Sequence, residues 1–401
     1  MAVATAPPHA PEGGSDLDGA SAATSDEGAA PRTTGRVVIV SASIGAGHDG
    51  AAAELARQLR AAGLVVDRHD FVDILPGAWG RLLRGGYHAQ LTVAPRTWGW
   101  LMGAAGGRSA SAGVSTVLDR IARARMMEAI GPDPTVVLST YPLASQLIGR
   151  LRQERRLAAP AVTFLTDMSV HPLWVAPGVD AHLALHRVPA RQARSLGARR
   201  VVVGGAAVGP AFRPRRDAAE RVTARMAFGL PQDAPLALVV AGSWGVGSVD
   251  RSARDIADTG RAVPVVVCGR NERLRARLSR DPRIIALGWV DDMPTLMRAC
   301  DLVVQNAGGL TSLESLTSGV PVVTYRCLPG HGETNAAALE EAGWADWVRH
   351  RDDLPAALSR AVTGPTTPDF TRLRASRTIL AFAAAAPLAS AWGESPTRSA
   401  A

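Results

Sequence analysis

Lysine is absent from the 401 residues, so all 44 basic side chains are arginine. That absence excludes a Schiff-base lysine and the phosphate-binding lysine of a P-loop. Cysteine is scarce: Cys268, Cys300 and Cys327 lie far apart, match no zinc spacing, and read as small buried hydrophobes. No run approaches the ~20 apolar residues that a spanning helix needs. The best candidate, Ile379 to Trp392, is short, Ala-rich and broken by Pro387. The first residues lack a basic segment followed by an apolar one, so the expectation is a cytoplasmic, disulfide-free protein without a secretory signal.

What is present suits two α/β domains. Hydrophobic residues make up 47% and charged residues 20%, enough to build a packed core. The formal charge is +8, and it is uneven: between Pro76 and Glu128 seven Arg face only Asp119 and Glu128. Such a surface is open to three readings: nucleic acid, anionic lipid, or a merely solvated face. Residues 1–34 are rich in Ala, Gly, Ser, Pro and acid and read as a disordered tail.

Short apolar runs then alternate with helical segments. Strands are expected at Val37–Val40, Val136–Ser139, Ala161–Thr166 and Val201–Val203, with a helix near Ala51–Ala62. The pattern pauses near Phe212-Arg213-Pro214 and restarts at Leu236–Ala241. It continues at Val263–Cys268, Ile284–Leu287, Leu302–Gln305 and Val322–Tyr325. Two doubly wound parallel sheets in tandem follow, joined somewhere near residues 205–225. Ligands of such sheets bind beyond the carboxyl ends of the strands.

The first such loop, Ser41 to Gly50, contains Gly45, Gly47 and Gly50 in G-x-G-x-x-G spacing, with Asp67 twenty residues past Gly47. Alone, this invites an NAD- or FAD-linked oxidoreductase. Two features oppose it: His48 stands where a pyrophosphate would lie, and four residues separate Val40 from Gly45. His48 at a helix start reads as a neutral general base, because the helix dipole disfavours imidazolium there.

In the second half, Gly242-Ser243-Trp244-Gly245-Val246-Gly247 is a phosphate-type turn between a strand and a helix that Gly260 ends. Trp289 and Val290 follow a strand, where an aromatic can stack on a base. Asp291-Asp292 reads as a helix cap rather than a metal pair. Thr311 and Glu314 have capping-box spacing, and Glu314 could instead grip ribose hydroxyls. The loop from Leu328 to Asn335 is polar, with His331 and Glu333.

Together the segments SASIGAGHDGAA, TDMSVHPLW, GSWGVG, VCGRN, GWVDDM, NAGGLTSLES and PGHGETNAAALEEAG resemble, in order, the GT-B glycosyltransferases. The similar branch holds monogalactosyldiacylglycerol synthases, processive diacylglycerol glucosyltransferases and the lipid II-forming N-acetylglucosaminyltransferase. The resemblance covers roughly residues 36–350 and implies two Rossmann-like domains facing a cleft. It implies an acceptor domain over 35–213, a UDP-sugar domain over 214–364, and, over 365–401, a C-terminal helix returning to the first domain and a flexible tail. It implies inverting transfer of a hexosyl group to a lipid such as diacylglycerol, with no cofactor or obligatory metal and no nucleic-acid partner.

By the same resemblance His48, or else Asp167, takes the acceptor proton, and Gly45, Gly47, His171 and Trp174 lie on the acceptor side. Gly242, Ser243 and Gly245 match the diphosphate loop, Trp289 and Val290 the uracil contact, and Glu314 the ribose acid. Gly309, Thr311, Glu333 and Asn335 join the donor side. Residues Leu75 to Met102, with Trp79, Trp98, Trp100, Tyr87, Arg81, Arg84 and Arg96, match the lipid-facing region and suggest contact with an anionic membrane at the inner face of the plasma membrane. Gly204 to Val208 departs from the usual G-x-P-V turn, and His331 with Glu333-Thr334 departs from the usual sugar-facing residues, so the sugar is left open. The alternatives are a nonhydrolysing UDP-sugar epimerase and a non-catalytic UDP-sugar-binding protein of the same fold.

Overall fold

Val37 to Val40 is fully buried, and its alternate residues serve two different cores. Val37 and Ile39 pack with Ala52, Leu55 and Leu59 of the helix Ala46–Ala61, whereas Val38 and Val40 pack with Phe71, Met126 and Leu147 on the other face. A strand buried on both faces needs a continuous apolar run, which is what the sequence supplies. The computed structural model describes residues 35–44, 46–75, 77, 79, 80, 85, 122–240, 247–364 and 375–381. The proposed tail, Gly45, and most of the Trp- and Arg-bearing insert lie outside the described residues.

The first sheet contains β1 (Arg36–Ser41), β2 (Val65–Asp70), β3 (Val136–Ser139), β4 (Ala161–Phe164), β5 (Ala181–Ala184) and β6 (Val201–Val203). They lie in the order β2-β1-β3-β4-β5-β6, all parallel, with Val37 opposite Val136 and Val40 opposite Ser139. The second contains β7 (Leu236–Val240), β8 (Val263–Val267), β9 (Ile285–Leu287), β10 (Leu302–Gln305), β11 (Val322–Tyr325) and β12 (Ala345–Val348). Its order, β12-β11-β10-β7-β8-β9, is again all parallel. Each sheet therefore reverses its winding once, between β1 and β3 and between β7 and β10, and those crevices are where ligands of doubly wound sheets bind.

The expected strands form, and three more join them. β2 is an edge strand whose last four residues are Asp67-Arg68-His69-Asp70, β5 holds the buried His182, and β12 carries Asp346. The expected joint near 205–225 is partly helical, because Asp217 caps a helix over Ala218–Ala227 by accepting from Glu220 N at 2.8 Å. Gly260 ends the helix Val249–Thr259 in the left-handed region, as expected.

The apolar layer beneath helix Ala46–Ala61 continues into the second half of the chain. Leu313, Leu316, Ala338 and Leu339 share one buried cluster with Val37, Leu55 and Phe164, and Ala375 and Ile379 of the segment 375–381 join it. Gly50 belongs to this junction: a Cβ there would lie 2.6 Å from Leu310 Cδ2. The third glycine of the G-x-G-x-x-G pattern thus lets one helix approach another. Asp67, the acid that pattern would assign to a ribose, pairs with Arg36 at 2.7 Å.

Candidate active site

His48 lies in the first turn of helix Ala46–Ala61, beside the switch point of the first sheet. Its Nδ1 is 2.9 Å from the carbonyl oxygen of Thr140 and 2.9 Å from Thr166 Oγ1. A carbonyl only accepts, so Nδ1 carries the proton and donates, and the lone pair resides on Nε2. Thr140 Oγ1 donates back to the His48 carbonyl at 3.1 Å. Tyr141 meets the ring edge-on at 5.3 Å, and Trp174 lies 5.9 Å away. Burial lowers the pKa of His48 below the ordinary 6.5, against the opposing pull of Asp167, so the ring is neutral near pH 7.

Asp167, three residues past the end of β4, is buried. It accepts from Trp174 Nε1 at 2.9 Å and stands 3.6 Å from His331 Nε2. Burial pushes this carboxyl up, but His331, His48 and His171 together with the Trp174 hydrogen bond outweigh it, and the net shift is downward. His171 is held down to about 4, first by burial. Trp174 is fully buried, so of the acceptor-side residues it acts as a wall and as the anchor of Asp167. Gly47 lies close to Leu310, whose Cβ would be 3.9 Å from a Cβ placed there.

On the donor side, the helix Leu310–Thr317 starts from Gly309, which provides no side-chain cap. Thr311 is therefore inside the helix, and the capping box suggested by its spacing to Glu314 does not form. Glu314 is instead a desolvated carboxyl, raised by burial to about 7. Trp289 is 53% exposed, donates to Asp291 at 2.8 Å, and has the Arg270 guanidinium 4.9 Å from its ring centroid. Val290 packs toward the core, and Asp292 caps the next helix by accepting from Thr295 N at 3.0 Å.

Two donor-side expectations change character. Glu333 is exposed and accepts from Gly330 N at 3.1 Å, capping its own helix, His331–Glu341. It lines a cavity of about 340 Å³ with Tyr325, Arg326, Cys327 and Trp347. Asn335 is fully buried and its amide is spent within the protein. Its Oδ1 accepts from Ser169 N and Ser169 Oγ, both at 2.9 Å, while its Nδ2 donates to the Ala307 carbonyl at 3.0 Å and lies 3.2 Å from His331 Nε2. Asn335 therefore ties the loop after β4 to the loop after β10. Gly242, Ser243 and Gly245 lie outside the described residues.

The structure thus brings His48, Asp167, His171, Trp174 and His331 together, and adds three groups that sequence reasoning did not single out. Thr140, Thr166 and Ser169 each follow β3 or β4, so their position beyond a strand's carboxyl end was the available signal.

With this geometry in hand, comparison with known proteins is informative. The family profile described as monogalactosyldiacylglycerol (MGDG) synthase matches residues 48–204, and that described as glycosyl transferases group 1 matches residues 245–364. A processive diacylglycerol beta-glucosyltransferase of Bacillus subtilis is 26% identical over 235 residues, 56% of this chain and 60% of the relative. Monogalactosyldiacylglycerol synthase 1, chloroplastic, of Arabidopsis thaliana is 28% identical over 227 residues, 52% of this chain and 42% of the relative. The chain spans three fifths or less of the length of these relatives. Among solved structures, the glycotransferase of kitacinnamycin superposes with a TM-score of 0.54 at 19% identity, covering 90% of this chain and 99% of the other. Acinetobacter baumannii MurG superposes with a TM-score of 0.52 at 16% identity, covering 87% and 99%. The chain has the GT-B fold and is related to the monogalactosyldiacylglycerol synthases and processive diacylglycerol glucosyltransferases.

Proposed function

We propose that the chain is an inverting glycosyltransferase that moves a hexosyl group from a UDP-sugar to a lipid acceptor such as diacylglycerol. Residues 35–213 form its acceptor half and residues 214–364 its donor half. The observation that carries this reading is the bond that fixes the tautomer of His48: with Nδ1–H held by the Thr140 carbonyl, the lone pair of Nε2 is left to act as a base.

In the proposed reaction His48 Nε2 removes the proton of the acceptor hydroxyl as that oxygen attacks the anomeric carbon. The bond from that carbon to the UDP oxygen breaks on the opposite side, which inverts the configuration. Positioned general-base catalysis of this type contributes about 10²- to 10⁴-fold. Asp167 sits close enough to favour the imidazolium that forms. The start of helix Leu310–Thr317 offers backbone N–H groups and a positive dipole end to the diphosphate, whose charge grows as UDP leaves. Glu314 is the acid assigned to the ribose hydroxyls, and Trp289 with the Val290 backbone to the base.

The lipid half of the proposal rests on the relatives' names and on the Arg- and Trp-bearing insert, of which Trp79 is 45% exposed. Among the described residues no helix is long and apolar enough to cross a membrane. The proposed association is peripheral, at the cytoplasmic face.

The test is release of UDP from UDP-glucose, UDP-galactose and UDP-N-acetylglucosamine, each with and without diacylglycerol vesicles. One donor should be consumed, and only when lipid is present. Consumption of no donor with any lipid overturns the reading, and conversion of the UDP-sugar to an isomer without lipid points to an epimerase.

A further inference from the structure

The carboxyl end of β10 holds a polar group that the structure leaves unfinished. Gln305 is 5% exposed and lies beside β7, at the switch point of the second sheet. Its Oε1 accepts from Ala307 N at 2.7 Å and also from Gly308 N. Two backbone donors on one atom decide which end of the amide is oxygen, so the other end is unambiguously the NH₂ group. That Nε2 is buried and meets no acceptor. A buried amide donor without a partner is rare in folded proteins.

The surroundings say what it awaits. Because Oε1 is bound to the turn at 307–308, Nε2 of the same planar amide is held near that turn, which leads into helix Leu310–Thr317. The helix has no side-chain cap at Gly309, where even a Cβ would find open space within 4 Å. Two nearby glycines are closely packed: a Cβ on Gly247 would meet Asn306 Nδ2 at 2.5 Å, and one on Gly308 would meet Asn335 Cβ at 2.6 Å. The turn therefore brings a buried, unpartnered amide donor near an uncapped helix N-terminus, and both favour an anionic oxygen acceptor.

Building on the UDP-sugar reading above, we infer that Gln305 is a further donor-binding residue whose Nε2 hydrogen-bonds a phosphate oxygen of the nucleoside diphosphate. Its two ends then have separate tasks: Oε1 shapes the turn, and Nε2 holds the ligand. Gln305→Glu separates them, since it keeps an acceptor for Ala307 N and Gly308 N but removes the donor and adds negative charge.

The experiment is calorimetric titration of wild type and Gln305→Glu with UDP and with uridine, alongside thermal melts. UDP affinity should fall about 10- to 100-fold, the loss of one hydrogen bond to a charged group, while uridine affinity stays unchanged. Equal UDP affinity in a folded Gln305→Glu overturns the assignment of Gln305 alone. Failure of the wild type to bind UDP overturns the donor reading itself. Should the variant not fold, a crystal structure of the wild type with UDP decides: Nε2 within about 3.2 Å of a phosphate oxygen supports the assignment, and no phosphate oxygen within hydrogen-bonding reach overturns it.

Discussion

The surroundings of His48 and those of Gln305 and Glu314 handle their polar groups in opposite ways. Around His48 the protein completes the chemistry itself: a backbone carbonyl fixes the ring, Trp174 anchors Asp167, and Asn335 secures Ser169. Around Gln305 and Glu314 it leaves a buried donor and a desolvated carboxyl without compensation among the described residues. The first arrangement suits the proposed proton transfer, while the second leaves polar groups that the proposed donor would satisfy. Function is thus visible as completeness around His48, save for the buried His171 Nδ1 that meets no partner, and as incompleteness around Gln305 and Glu314.

Acidity tests this contrast most strongly. His171 and His182 are depressed to about 4 and His186 to about 3, chiefly by burial, from an ordinary 6.5. The unfolded chain therefore takes up protons first, so stability is full above pH 6.5 and is lost as pH falls toward 4. Between pH 6.5 and 5 each group costs about 2 kcal/mol, measurable by urea unfolding at the two pH values. A flat profile over that interval contradicts the burial of these neutral rings.

Next in size, His48→Ala should lower turnover about 10²- to 10⁴-fold while leaving UDP affinity almost unchanged. Steady-state kinetics beside UDP calorimetry give the split, and parallel loss of both makes His48 structural. Asn335→Ala strands the buried Ser169 N–H and should destabilise the chain by about 1–3 kcal/mol, read from its unfolding midpoint in urea. An unchanged midpoint removes Asn335 as a tie between the two loops.

The smallest effect should have the opposite sign. Glu314 is raised to about 7 from an ordinary 4.5, so the folded chain holds this proton more tightly than the unfolded chain does. Its ionisation weakens the free protein as pH rises from 4.5 through 7. Glu314→Gln should stabilise the free protein at pH 8 by roughly 1–2 kcal/mol yet weaken UDP binding. A variant that is less stable and binds UDP normally would show Glu314 to be an ordinary structural acid.

The sheets were largely legible because strands buried on both faces must be apolar throughout, as Val37 to Val40 and Leu236 to Val240 are. β2, β5 and β12 escaped notice because Arg68, His182 and Asp346 interrupt short runs. His48 was legible from its place between a strand and a helix. What fixes its ring was not, since Thr140 and Thr166 lie 92 and 118 residues away and follow no local pattern. Of the two readings open for Glu314, the capping box falls away because the helix begins at Leu310, which puts Thr311 past the capping position. Gln305 was hidden as well: nothing in a strand's last residue reveals which half of an amide will lack a partner.

The apolar cluster that runs from Val37 through Leu313 and Leu339 to Ile379 has a practical consequence for protein engineering. Exchanging residues 214–364 for the corresponding half of another chain of this fold would cut through that cluster. Here a transplanted half would have to supply a Leu310 equivalent that fits against Gly50, along with side chains matching Leu313, Leu316 and Leu339 in volume. Chimeras cut near residue 214 should therefore succeed or fail according to the match across that buried seam, whatever the sugar chemistry of the incoming half.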